Sequence, residues 1–397
     1  LFCLIIAGMN GVVLSGDLVN LFVFLEVSVI SSYALVAFGV GKTELEASFK
    51  YQVLGGLASM LILLAIGLIY WETKTLNLAD IRNVFDSGYS SSFYLFVQVL
   101  LIAGFGLKAA IVPFHAWLPD AHSSAPSPIS AMLSGVLIKA VGIYVLIRLF
   151  FNMFSFSQEI ALVLTVLGAI SMVAGSLLAI IQWDLKRLLA YSSISQIGYV
   201  VMAFGMGILL LLKGNNEAAA ILAIGGGIYH MINHAVFKGL LFLNAGSLEH
   251  RLDTRNLKEM GGLSRAMPVT STTSFMASMS ISGIPPFNGF FSKLIIIIAA
   301  INGKFYLLAT LAVVVSIITL GYFLKFQRFA FFNKAKAETA QHIKEVPFPM
   351  SFSMIFLAVL CLALSLLAIP SVSETILRPA IDVLLQPEIY STTILGI

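Results

Sequence analysis

The stretch FGLKAAIVPFHAWLPDAH, residues 105–122, decides how this chain is read. It closes an apolar run long enough to enter a bilayer, yet it holds Lys108, Pro113, His115, Asp120 and His122. Proline removes a helical donor and clashes with the preceding turn, so the helix must break near residue 113. In hydrocarbon a broken helix leaves backbone groups unpaired. It survives only where protein encloses it or where it lines a water-filled cavity. A lysine at that depth also needs a partner or water. These residues therefore imply a bundle of membrane-spanning helices with a polar interior.

Composition agrees. Of 397 residues, 59% are hydrophobic and 11% charged, and mean hydropathy is +0.98. A soluble domain carries roughly a quarter charged residues. The net charge of +4 is spread through loops, which argues against a nucleic-acid partner. Cys3 and Cys361 lie far apart in apolar segments and cannot build a zinc or iron–sulfur site alone. No dinucleotide or P-loop fingerprint is present, so no cofactor and no metal is expected. The apolar run from Leu1 to Leu14 is too short to span and follows no basic segment. It reads as a truncated helix, not a signal peptide.

A span needs about 20 apolar residues. Spans are expected near 1–14 (partial), 18–40, 51–71, 93–118, 128–151, 159–182, 188–212, 218–247, 267–301, 305–332 and 349–370, eleven in all. Loops on one side carry thirteen Lys and Arg: Lys42, Lys50, Lys186, Arg187, Arg251, Arg255, Lys258, Arg265, Lys325, Arg328, Lys334, Lys336 and Lys344. The other side carries six. The positive-inside rule makes loop 248–266 cytoplasmic and the C-terminal tail external. IVPFHAWL (111–118) resembles IPPFNGFF (284–291), with Pro113 matching Pro286. The two segments are five spans apart, so any repeat is inverted, and broken helices in inverted repeats mark transporters.

The remaining charges are deep. Glu26 lies mid-span, where an unpaired charge costs at least about 2.5–3.5 kcal/mol. Pairing with Lys108 relieves both residues, and two neutral groups are the alternative. Lys139 lies about ten residues from either end of its span, too far to snorkel. His230, His234 and Lys238, at i, i+4 and i+8, drift only about 80° around a helix and form one polar stripe. Metal binding by H-x-x-x-H lacks a third ligand nearby. A titratable stripe along a wet seam suits a proton relay, with structural hydrogen bonding as the plainer alternative. Lys293 follows the second break, so Lys108 and Lys293 are expected at two versions of one hydrated pocket. His115, Asp120 and His122 suit either proton entry or ordinary loop polarity.

The chain resembles the antiporter-like membrane subunits of complex I (NADH–quinone oxidoreductase), Mrp-type sodium/proton antiporters and energy-converting membrane hydrogenases. The resemblance rests on GDLVNLFVFLEV, on residues 105–144 around Lys108 and Lys139, and on DLKRLLAYSSISQIGY, HMINHAVFKGLLFLNAGS and GIPPFNGFFSK. It implies an all-α integral membrane fold with two inverted five-helix repeats and broken helices. The eleven spans correspond to helices four to fourteen of about fourteen, three N-terminal helices being absent. Repeats at 1–151 and 159–332 and a final helix and tail at 349–397 follow. Glu26 then takes the acidic position of the fifth helix and Lys108 the paired lysine of the seventh. Lys139 takes the lysine of the eighth, His234 and Lys238 the relay of the eleventh, and Lys293 the exit position of the twelfth, where some members have Glu. Only about 27 residues follow the last span, which argues against the most distal complex I subunit.

The expected function is proton translocation along this Glu/Lys/His axis, inside a redox-driven complex of the cell inner (cytoplasmic) membrane. Partner subunits would carry the redox chemistry, so this chain is a translocase subunit of an oxidoreductase. One alternative is an Mrp-type subunit exchanging sodium for protons. Another is a stand-alone secondary transporter, which the proton-carrying set of buried groups argues against.

Overall fold

The computed structural model describes residues 1–86, 91–214, 216–334 and 343–386. Its first half comprises α1 (Phe2–Leu14), α2 (Leu18–Val36), α3 (Lys42–Thr73), α4 (Leu78–Asp86), α5 (Ser91–Ala109), α6 (Trp117–Ser124) and α7 (Ser127–Asn152). The second comprises α8 (Gln158–Ile180), α9 (Leu185–Lys213), α10 (Glu217–Leu252), α11 (Pro268–Ser282), α12 (Asn288–Asn302) and α13 (Tyr306–Phe332). Then come α14 (Phe348–Ala368), α15 (Pro370–Ile376) and α16 (Arg378–Leu385). Among the described residues nine helices are long and apolar enough to cross a membrane, and α1 and α12 are shorter apolar helices. The protein is an all-helical, multi-pass integral membrane protein.

Several helix ends differ from the hydropathy reading. α5 stops at Ala109 rather than 118, α3 starts at Lys42 rather than 51, and α10 runs on to Leu252. The expected span 267–301 is two helices, α11 and α12. Hydropathy marks the part of a helix that crosses hydrocarbon, whereas backbone hydrogen bonding and capping set its ends. Asp184, for example, caps α9 at the Arg187 amide, and Asn216 caps α10 at Ala219. Lys336, and residues 387–397 of the final segment, lie outside the described residues.

The two halves share backbone details that the sequence comparison did not find. In the first, the Leu18 amide donates to Leu76 O and the Leu78 amide to Gly16 O. In the second, Leu185 donates to Arg255 O and Leu257 to Trp183 O. Asp17 and Asp184 cap the helices that follow. Since α2 and α9 are five spans apart, these matching ties lie at opposite ends of the bundle.

α9 is the hub of the bundle. Every residue from Ser192 to Leu210 is buried, so the helix is enclosed on all sides. Lipid supplies no hydrophobic drive between helices, and close packing of small residues takes its place. A Cβ on Gly198 would fall 2.3 Å from the Met172 amide nitrogen, and one on Gly168 would fall 2.3 Å from that of Met202. Backbone cannot step aside as a flexible side chain can, so Gly198→Ala must part α8 from α9. It should destabilise the protein by about 1–3 kcal/mol. Gly56→Ala, with nothing within 4 Å of the added carbon, should not. Apparent melting temperatures in detergent test this: equal values for the two variants would contradict the packing described.

Candidate functional site

Each of the two broken spans is interrupted by the same sequence of backbone hydrogen bonds. After α5, Ala110 donates to Leu107 O, Ile111 to Gly106 O and Phe114 to Ile111 O. After α11, Gly283 donates to Ser280 O, Ile284 to Met279 O and Phe287 to Ile284 O. Ala110 and Gly283 both take left-handed backbone, and the Val112–Pro113 and Pro285–Pro286 bonds are both cis. Groups that helix would have satisfied find other partners. Ser171 accepts from the Val112 amide, Trp117 Nε1 donates to Leu107 O, and Ser365 donates to Pro286 O. At the second break a Cβ on Gly289 would fall 1.9 Å from Ser280 O, so this contact requires glycine.

Lys108 stands on the last turn of α5. Its Nζ lies 3.2 Å from Glu26 Oε1 on α2 and 2.9 Å from Ser59 Oγ on α3. Ser59 Oγ is 2.5 Å from the same Glu26 oxygen. Lys108 is almost wholly buried, whereas the Glu26 side chain keeps 23% of its surface. Aromatic rings brace this corner. Tyr33 meets Tyr51 edge-on at 4.5 Å, and Tyr51 stacks on Trp117 at 4.2 Å.

Lys139 lies in a π-wound turn of α7 and donates to the carbonyl of Ser134. Ser134 Oγ is 2.8 Å from Ser193 Oγ of α9, and Ser193 donates to Leu189 O. That carbonyl also accepts from Lys238 Nζ of α10 at 2.7 Å, and Lys238 donates to Ser192 Oγ as well. Small hydroxyl groups thus connect the surroundings of the two lysines across three helices. One turn before Lys238, His234 is buried beside Phe237, and neither ring nitrogen meets a hydrogen-bond partner among the described residues. His230 Nδ1 lies 3.0 Å from Ser292 Oγ and its Nε2 lies 3.2 Å from Gln196 Oε1.

Lys293 is next to Ser292 on α12. Its Nζ donates to Ile281 O at 2.8 Å, reaching back across the break, and lies 4.9 Å from the centre of the Tyr199 ring. A cavity of about 190 Å³ adjoins it, lined mainly by apolar side chains such as Phe290, Leu294, Ile297, Val313, Ile317 and Leu320. The expectation that Lys108 and Lys293 are equivalent needs correction. Lys108 precedes its break and Lys293 follows the other. By the matching prolines, the counterpart of Lys108 is Ile281, whose carbonyl Lys293 binds. The order of lysine and proline already separates the two, with Lys108 five residues before Pro113 and Lys293 seven after Pro286.

His115, Asp120 and His122 part company. His115 is half-buried in the turn before α6. Asp120 bonds Lys50 at 3.0 Å and Arg187 at 2.7 Å. Burial pushes its carboxyl up, but these cations outweigh burial and hold it below the usual carboxylate range. His122 is enclosed between Trp117 and Phe242. Sequence reasoning missed Ser59, Ser134, Ser193, Gln196 and Ser292. For Ser193 and Gln196 the signal available was the polar run SSISQ inside an apolar span.

Residues 15–319 match the family described as NADH:quinone oxidoreductase/Mrp antiporter, transmembrane. The chain belongs to this family. Within the family it is 35% identical over 392 residues to a Na(+)/H(+) antiporter subunit of Alkalihalophilus pseudofirmus, covering 98% of this chain and 76% of that protein. It is 34% identical over 350 residues to an NADH-quinone oxidoreductase subunit of Desulforudis audaxviator, covering 87% and 67%. Among solved structures, the Mrp complex from Dietzia sp. contains a chain that superposes with a TM-score of 0.87 at 28% identity. That match covers 99% of this chain and 79% of the other. The protein is thus an antiporter-like membrane subunit, and its structural relatives are subunits of multisubunit complexes.

Geometry predicts strong coupling between Glu26 and Lys108. Lys108→Met alone strands a carboxylate and should destabilise toward the lower end of roughly 3–5 kcal/mol. Adding Glu26→Gln should recover much of the loss, giving a non-additive double-mutant cycle. Thermal unfolding in detergent measures it, and additive losses would mean that the pair does not interact.

Proposed function

We propose that this chain carries protons across the membrane as one subunit of a larger complex. The observation that carries the reading is the series of buried titratable side chains, Glu26–Lys108, Lys139, Lys238, His234, His230 and Lys293. Serines, glutamine and backbone carbonyls adjoin most of them. Lysine and histidine both hold and release protons when their surroundings change. A proton on Lys108 is held by Glu26. Once it passes inward to Lys139 it repels any charge on Lys238 and the histidines, which favours its advance to Lys293. Lys293 ends the series, beside the second break, and is the group from which the proton leaves. The division into repeats at 1–151 and 159–332, with a final segment at 349–397, belongs to the same reading.

We take the driving force to be a redox reaction in partner subunits, as in the NADH-quinone oxidoreductase relative. A second reading, sodium/proton exchange without redox chemistry, is favoured by the longer alignment with the Na(+)/H(+) antiporter relative. Vesicles containing the assembled complex separate the two. Proton uptake that requires an electron donor supports the first, and uptake driven by a sodium gradient alone supports the second.

In either assay, Lys293→Ala should abolish most proton movement while the complex remains assembled, because the change also removes a costly buried charge. Lys293→Glu should retain part of the activity, since a carboxyl group can pass a proton from the same place. Normal pumping by Lys293→Ala would refute the exit role, and so would failure of that variant to assemble.

Sidedness follows from the basic loops. A cysteine placed in loop 248–266 should react with an impermeant reagent only from the cytoplasm, and one near Gln386 only from outside. Labelling of the tail position only from the cytoplasm would refute the assignment.

A further inference from the structure

Ser59 stands between the two charged residues with one proton to give. Its Oγ is 2.5 Å from Glu26 Oε1 and 2.9 Å from Gly55 O, and Lys108 Nζ lies 2.9 Å from it. The lysine is nearer to this hydroxyl than to the carboxylate, at 3.2 Å. An ammonium only donates, so Lys108 occupies one lone pair of Oγ, and the hydroxyl proton can go to one of two acceptors. With Glu26 ionised the carboxylate takes it, and 2.5 Å suits a charge-assisted O–H···O bond. With Glu26 protonated or turned away, the Gly55 carbonyl one turn earlier is already in reach. The buried hydroxyl is satisfied either way.

The surroundings fix this turn of α3 in place. A Cβ on Gly55 would fall 1.9 Å from Tyr33 Oη, so the Tyr33 ring seats directly on the helix there. On the other side Gly104, one turn before Lys108, packs against Ile62 and Ala58 O. The Ser59 turn is therefore wedged between α2 and α5, the helices carrying Glu26 and Lys108.

We propose that Ser59 is a positioning residue for the Glu26–Lys108 pair. It holds the ammonium in place and shifts its own hydroxyl proton between Glu26 and Gly55 O as the pair changes state. The inference rests on the reading that this pair lies on the proton path.

The test is proton transport by vesicles holding equal amounts of assembled complex. Ser59→Ala should lower transport about tenfold, the loss expected for one hydrogen bond to a charged group. Ser59→Cys, nearly the same size but a weak hydrogen-bonding group, should do the same if the alanine variant fails to assemble. Ser59→Thr keeps the hydroxyl and should restore most of the activity. In a Glu26→Gln background, Ser59→Ala should add less than about a twofold further loss, because it acts through Glu26. Normal transport by Ser59→Ala or Ser59→Cys, alongside an impaired Glu26→Gln, would overturn the role of Ser59 alone. An assembled Ser59→Thr no better than Ser59→Ala would overturn it too, as would an undiminished loss in the Glu26→Gln background. Normal transport by both Glu26→Gln and Lys108→Met would instead overturn the proton-path reading, and this inference with it.

Discussion

Hydrocarbon offers no hydrogen bonds, so each backbone group freed by a broken helix must be satisfied by protein or by enclosed water. Two spans of this bundle are broken, and much of the interior is organised by that constraint. Trp117, Ser171 and Ser365 serve freed backbone groups around the breaks, and Lys293 serves Ile281. Some of these come from distant helices, so each break ties its span to neighbours. Asn288, at the start of α12, is likewise locked to Asn233 of α10 and to Ser280 of α11. Residues that pay for irregular backbone thus also fix the angles at which the helices meet.

The same constraint explains how one plan of break supports two kinds of charged site. In the first half a lysine before the break pairs with a carboxylate on another helix. In the second, a lysine beyond the break donates to the carbonyl at the position matching Lys108. One ammonium is held by a full negative charge and the other by a backbone dipole and an aromatic face.

Between these ends lies α9, whose small residues let α8 approach its backbone while Ser193 bonds Ser134 of α7, and Ser192 and Gln196 bond Lys238 and His230 of α10. Close approach and polar contact come from the same choice of side chain. A serine is small enough to permit packing and polar enough to hold a proton donor. At the surface, Asp120 of α6 is gripped by Lys50 and Arg187, and Arg255 donates to Ser123 O. The second half of the first broken span is therefore fastened to α3, to α9 and to the segment after α10.

Much of this protein was legible from residue order alone. Apolar runs of sufficient length identify spans, prolines mark the breaks, and a charge in mid-span announces a polar interior, because hydropathy and proline geometry are local properties. The family's motifs are local too. The pairing of Glu26 with Lys108 was inferable only as a way of relieving two buried charges. Which hydroxyls stand between and beside the charges was not legible, since serine is common in membrane helices and its environment depends on how each helix is turned. That Lys108 precedes its break and Lys293 follows the other could be read from the order of lysine and proline, but not that Lys293 reaches back to the Ile281 carbonyl. Partner, distance and direction depend on the rotation and tilt of packed helices, and those are set by contacts between residues far apart in the chain.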